Sequence, residues 1–188
     1  FTERLNEGMG HTTRSSMGND IADFNNDGLL DVFVLDMMPD KEKIRKQSAS
    51  DDDYELYQIK KQFGYNEQFT RNNLQLNLGG GLFSEIGLFA GIYATDWSWS
   101  PLFCDVDNDG WKDLFITNGI YRRANDLDYL DFLTGGNRYF PGKDNSGVSD
   151  SVLYSRMPLY PNVNFMFRNN GDLTFTNKAG DWGFNTRS

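Results

Sequence analysis

Two acidic stretches with the same spacing constrain this chain more than any other feature. One runs Asp23-Phe24-Asn25-Asn26-Asp27-Gly28-Leu29-Leu30-Asp31. The other, Asp105-Val106-Asp107-Asn108-Asp109-Gly110-Trp111-Lys112-Asp113, lies 82 residues later. Each sets oxygen-bearing side chains at alternate positions, then a glycine that permits a sharp turn, then a further aspartate. Each leads into a short run rich in β-branched and aromatic residues, Asp31 to Leu35 and Asp113 to Thr117, which reads as a strand.

Carboxylates held this close repel one another unless a cation lies among them. Calcium is such a cation: it takes about six to eight oxygens at roughly 2.3–2.6 Å, some of them backbone carbonyls. On this reading loop one offers Asp23, Asn25, Asp27 and Asp31 with the Leu29 carbonyl between. Loop two offers Asp105, Asp107, Asp109 and Asp113 with the Trp111 carbonyl between. The expectation is two Ca2+ sites. A solvated Asp/Asn turn is the rival account, and the duplication of carboxylates, glycine and strand flanks weighs against it. Loop two has four carboxylates to three in loop one, which predicts tighter binding in loop two. An EF-hand would need a bidentate glutamate at loop position twelve. Val34 and Ile116 stand there instead, and helical flanks are missing.

A second pair of segments also recurs. Asn73 to Phe83 resembles Asn164 to Phe175, with Asn164 placed 91 residues after Asn73. Asn169-Asn170-Gly171-Asp172 is a hairpin signal, and Gly79-Gly80-Gly81 serves the same purpose less specifically. The chain therefore divides into repeat one, about 17–83, and repeat two, about 99–175. A helical insert is expected over 50–64, with acids at its start, lysines near its end and Leu56, Ile59 and Phe63 at helical spacing. Another is expected over 125–134, capped by Asn125. Asp40 to Ser50 reads as a charged surface loop, and Pro141 to Ser151 as loop. Asp144 to Asp150 is a weak third acidic candidate whose spacing does not match.

Composition bounds the partners. With 18 Lys and Arg against 27 Asp and Glu the net charge is −9, so there is no general attraction for a phosphate backbone. Fifteen Phe, nine Tyr and four Trp supply large buried areas and argue against disorder. No apolar run approaches the ~20 residues of a membrane span. The first residues, Phe1-Thr2-Glu3-Arg4, carry no signal-peptide pattern, which suggests a mature or truncated chain. Cys104, the single cysteine, reads as a buried inert thiol.

The two acidic loops resemble the FG-GAP/VCBS repeat, the unit of integrin-α-type β-propellers. The Asn-rich hairpins resemble those that accompany this repeat in bacterial secreted proteins. Asn118-Gly119-Ile120-Tyr121-Arg122-Arg123 with Asn125 to Tyr129 is similar to outer-surface proteins of Bacteroidetes-type bacteria. The resemblance implies an all-β chain, about two to three blades of a β-propeller with short helical insertions. It also implies calcium between blade strands and an extracellular, periplasmic or outer-membrane-surface address. Two repeats cannot close a ring, so residues 1–188 are expected to be a fragment completed by further blades or a partner subunit.

The leading expectation is a calcium-stabilised, non-catalytic scaffold that binds a protein or a glycan. Trp97, Trp99, Arg122 and Arg123 are the candidate contact residues, with packing between blades as the plainer account of the tryptophans. A propeller module of a carbohydrate-active enzyme is the alternative, as is an accessory subunit of an outer-membrane surface complex. Enzyme components are scarce. His11 is the sole histidine and reads as a loop residue, and the clustered acids are already assigned to metal.

Overall fold

In a computed structural model, which describes residues 2–49, 54–134 and 149–186, the two repeats become two four-stranded antiparallel sheets. The chain starts with α1 (Leu5–Gly8) and β1 (Thr12–Thr13). Sheet one opens with β2 (Asn19–Ala22) and β3 (Asp31–Val34). Then α2 (Glu42–Gln47), α3 (Tyr54–Gln62) and β4 (Gln68–Phe69) intervene, β4 pairing in parallel with β1. Strands β5 (Asn73–Asn77) and β6 (Phe83–Glu85) complete the sheet, and α4 (Gly87–Ala90) follows. Sheet two repeats the plan with β7 (Ser98–Cys104) and β8 (Asp113–Asn118), then α5 (Leu127–Thr134) and α6 (Asp150–Arg156), then β9 (Phe165–Asn169) and β10 (Phe175–Asn177).

Within each sheet every strand pairs with its sequence neighbours, so both are up-and-down meanders. That topology decides where things lie. The acidic loop joins the first and second strands and the Gly-rich hairpin joins the third and fourth, so both sit at one end of the sheet. The helical insert joins the second and third strands and lies at the other end.

Strand register corrects the alignment of the hairpins. Phe33 faces Leu74 in sheet one, and its equivalent Phe115 faces Met166 in sheet two. Leu74 therefore matches Met166, and Asn77 matches Asn169: the offset is 92, not the expected 91. The Asn72-Asn73 doublet allowed the slip, and the residue opposite Asn164 is Asn72. Each accepts the backbone N–H at the end of the second strand, Asn72 from Asp36 and Asn164 from Asn118, both at 2.9 Å.

The sheets share one aromatic core. Phe24, inside loop one, is fully buried; it stacks on Phe103 of β7 at 6.3 Å and lies 5.8 Å from Phe175 of β10. Burying one such ring stabilises by roughly 1.5–3 kcal/mol. The first strands of the sheets, β2 and β7, lie side by side. The Phe103 N–H donates to Asp20 at 2.7 Å. Any Cβ at Gly18 would sit 2.3 Å from the Trp99 carbonyl, so this close approach requires glycine.

Several expectations about the inserts change. Asp40 to Ser50 is not simply loop: Glu42–Gln47 is helical, with an i,i+4 pair between Lys46 and Glu42 at 2.6 Å. Helix α3 occupies Tyr54–Gln62 of the expected 50–64, but Leu56, Ile59 and Phe63 are exposed rather than packed. The cap of α5 is Asp126, not Asn125, because the Asp126 carboxylate accepts the N–H groups of Asp128 and Tyr129, both at 3.1 Å. Residues 141–148 of the expected loop, and 144–148 of the third acidic candidate, lie outside the described residues. Asp150 opens α6. Cys104 is half-buried rather than buried, and burial together with the nearby Asp113 and Asp105 carboxylates pushes its thiol pKa up, which keeps it unreactive.

Candidate metal centre

The two acidic loops repeat atom by atom. Asp23 accepts the N–H groups of Asp27 at 3.0 Å and Gly28 at 2.9 Å; Asp105 accepts those of Asp109 at 3.1 Å and Gly110 at 3.0 Å. Asn25 accepts the Asp27 N–H at 3.3 Å and Asp107 accepts the Asp109 N–H at 3.3 Å. Asp27 accepts from Leu29 at 2.8 Å, and Asp109 from Trp111 at 2.9 Å. The turn needs the left-handed region twice per loop: Asn26 has φ 59° and Gly28 85°, Asn108 57° and Gly110 89°. Asparagine and glycine tolerate that region best, which is why they hold those positions.

In loop two, Asp105, Asp107 and Asp109 each bring a carboxylate oxygen within 4.8 Å of the others. Such an exposed, all-oxygen cluster can hold a metal ion, and hard cations suit its donors. Loop one has the neutral Asn25 where loop two has Asp107. The loops also touch: the Asn26 amide donates to the Gly110 carbonyl at 3.1 Å.

The last aspartate of each loop has a second task. Asp31 and Asp113 are fully buried at the start of the second strand. Asp31 accepts the N–H groups of Phe24 at 3.3 Å and Asn77 at 2.8 Å; Asp113 accepts those of Val106 at 3.0 Å and Asn169 at 2.9 Å. Each therefore ties the acidic loop to the end of the third strand. A carboxylate oxygen has two lone pairs, so these bonds do not exhaust its capacity. Burial pushes both carboxyls above the ordinary range, and like charges add to this, Asp27 and Asp23 at Asp31, Asp107 and Asp109 at Asp113.

Arg168 was not legible as part of the site. It projects from β9 onto loop two, with Nε 2.8 Å from Asp107 and Nη2 2.7 Å from Asp109. Its guanidinium holds the Asp107 carboxyl below the ordinary range. The signal in the sequence was an arginine one residue before Asn169, the asparagine that closes loop two, but the hairpin alignment that was off by one residue hid the correspondence.

The expected contact residues divide. Trp99 is 51% exposed, with its indole N–H donating to the Gly119 carbonyl at 2.9 Å. Trp97 is half-buried. Trp111 packs over Gly171, where the ring lies 3.2 Å from the Cβ position. Arg122 stacks on Tyr154 at 4.4 Å and donates to the Met157 carbonyl at 2.9 Å. Arg123 is not a surface cation: it is 3% exposed and bound to both carboxylate oxygens of Asp96. It also donates to the Ser48 hydroxyl at 3.4 Å and lies 4.8 Å over the Tyr160 ring. The Arg123–Ser48 bond joins the two inserts, as do the Ser48–Asp126 bridge and the Ala49 N–H to Asn125 carbonyl bond at 2.8 Å, whereas the pair with Asp96 ties the second insert to the segment between α4 and β7. Between the inserts lies a cavity of about 460 Å³ lined by Lys43, Arg123, Asp126, Phe132, Arg156 and Tyr160 among others. His11 is engaged as well, edge-on to Phe69 and with Nε2 2.8 Å from Arg71.

The fold and loops define a duplicated, mostly β architecture with an acidic loop at the same place in each sheet. Against known families, the FG-GAP-like repeat matches residues 62–116. The match runs from the end of α3 through the last strands of sheet one and across loop two into β8. The chain thus carries an FG-GAP-like repeat. No curated protein and no solved structure matches it. No helix among the described residues is long and apolar enough to cross a membrane.

Proposed function

We propose that this chain is a non-catalytic binding scaffold, part of a β-propeller whose blades are each fastened by one calcium ion. The observation that carries the reading is the repetition of one hydrogen-bond pattern in two loops 82 residues apart. Asp23, Asn25, Asp27, Asp31 and the Leu29 carbonyl would hold one ion; Asp105, Asp107, Asp109, Asp113 and the Trp111 carbonyl would hold the other. Calcium supplies a positive charge that accepts many oxygen ligands at once. The chain supplies the turn, and through Asp31 and Asp113 it ties each loop to the third strand.

The blade reading rests on the sheets themselves. Both are four-stranded meanders, their first strands are adjacent, and Phe24 seals the space between them. Val106 holds the same place in sheet two and is 38% exposed, as expected where a further blade packs. Propellers close with about four to eight blades, so others come from the same polypeptide or a partner. Modest-affinity calcium loops fill where calcium is abundant, which favours an extracellular, periplasmic or outer-membrane-surface address. The cavity between the inserts, aromatic and charged, is the place for a protein or glycan ligand, at the end away from the metal loops.

The test is a thermal-shift titration with calcium followed by a glycan array, each with and without chelator. The reading expects calcium to raise the melting temperature and binding on the array to need the folded inserts. No calcium response at millimolar concentration would overturn it.

A further inference from the structure

We propose that Arg168 is a built-in counter-cation of loop two, which a metal ion must displace in order to bind. The inference rests on the calcium reading above and deepens it. The guanidinium reaches both Asp107 and Asp109, at 2.8 and 2.7 Å, and these are two of the three carboxylates gathered in the cluster. An arginine fork satisfies two carboxylates at once. It holds together, without metal, a loop whose charges would otherwise drive it open.

Repeat one lacks this device. Strand register places Leu76 where repeat two has Arg168. In loop one the Oδ2 atom of Asp27 accepts a neutral donor, the Asn25 amide, at 2.9 Å. In loop two the Oδ2 atom of Asp109 accepts from the arginine. So the loop with more carboxylates carries its own cation, and the loop with fewer does not. Counting carboxylates ranks loop two as the tighter site. The arginine works against that ranking, because its attraction to both carboxylates is lost when a metal enters. The side chain of Arg168 is 39% exposed, so the effect is moderate and screened by salt.

Calorimetric calcium titrations of the wild type, Arg168→Leu and Leu76→Arg test this, each in an Asp23→Ala or Asp105→Ala background that isolates one loop. Arg168→Leu should tighten calcium binding to loop two by about twofold to fivefold at low salt, the range expected for an exposed ion pair. Leu76→Arg should weaken loop one. Arg168→Leu should also lower the melting temperature of the metal-free protein while leaving the calcium-saturated value nearly unchanged; a purely structural arginine would lower both alike. Unchanged or weaker calcium binding by Arg168→Leu, with the wild type still binding, overturns this inference alone. Absence of calcium binding in every protein overturns it together with the calcium reading.

Discussion

Asp113 accepts the backbone N–H of Asn169 at 2.9 Å and so fixes the foot of the second strand of sheet two to the end of the third. Its other oxygen accepts the Val106 N–H at 3.0 Å, from within the acidic loop. One buried carboxylate thus serves three segments. Asp113→Ala would leave two N–H groups without acceptors, at about 1–3 kcal/mol each. A chain of this size loses about 2–4 °C of melting temperature per kcal/mol. Thermal unfolding of Asp113→Ala in metal-free buffer should show a fall of several degrees. A melting temperature equal to wild type would contradict the assignment of this tie.

The raised pKa values of Asp31 and Asp113 fix the sign of a pH effect. A carboxyl with a raised folded pKa keeps its proton longer in the folded chain than in the unfolded one. Between the ordinary and the raised value the folded state therefore binds more protons, and stability falls as pH rises through that window. Asp107, Glu67 and Asp172, held below the ordinary range by Arg168, Lys61 and Thr174, work in the opposite sense but lie at the surface, where solvent and salt screen them. Melting curves at high salt without metal should show stability declining as pH rises above the ordinary carboxylate range. Calcium should flatten or reverse that slope, because it binds the deprotonated form. The same slope with and without calcium would separate these carboxylates from any metal.

The Asp96–Arg123 pair ties the second insert to the segment between α4 and β7 from a buried position, with both side chains 3% exposed. Removing one partner from such a pair costs about 3–5 kcal/mol, because the remaining charge is stranded. Arg123→Met should therefore be strongly destabilising. Adding Asp96→Asn should restore part of the loss, since asparagine suits the φ of 65° at position 96 and carries no charge. Denaturant unfolding of the single and double variants checks this. A double variant no more stable than Arg123→Met would show that the charge left on Asp96 is not the source of the loss.

What the sequence revealed follows from how local each feature is. The acidic loops were legible because their ligand types, glycine and flanking strand lie within a dozen residues. The hairpins were legible as elements, but the neighbouring Asn72 and Asn73 let the alignment slip by one residue. In a strand that slip exchanges faces, and it hid the match of Leu76 with Arg168. The Asp96–Arg123 pair spans 27 residues and two different segments, so no local pattern announces it. The stripe of Leu56, Ile59 and Phe63 shows the opposite failure: helical spacing marks the helix, yet these side chains are 42%, 48% and 78% exposed. Periodicity reports the local conformation, and burial depends on neighbours it does not encode.

The count of calcium ions per chain tests the central claim most directly. Equilibrium dialysis against radioactive calcium, on protein whose folding is checked by circular dichroism, should give two ions for the wild type. It should give one ion for Asp23→Ala and one for Asp105→Ala. A wild-type value of zero at millimolar calcium, or two ions retained after either substitution, would contradict it.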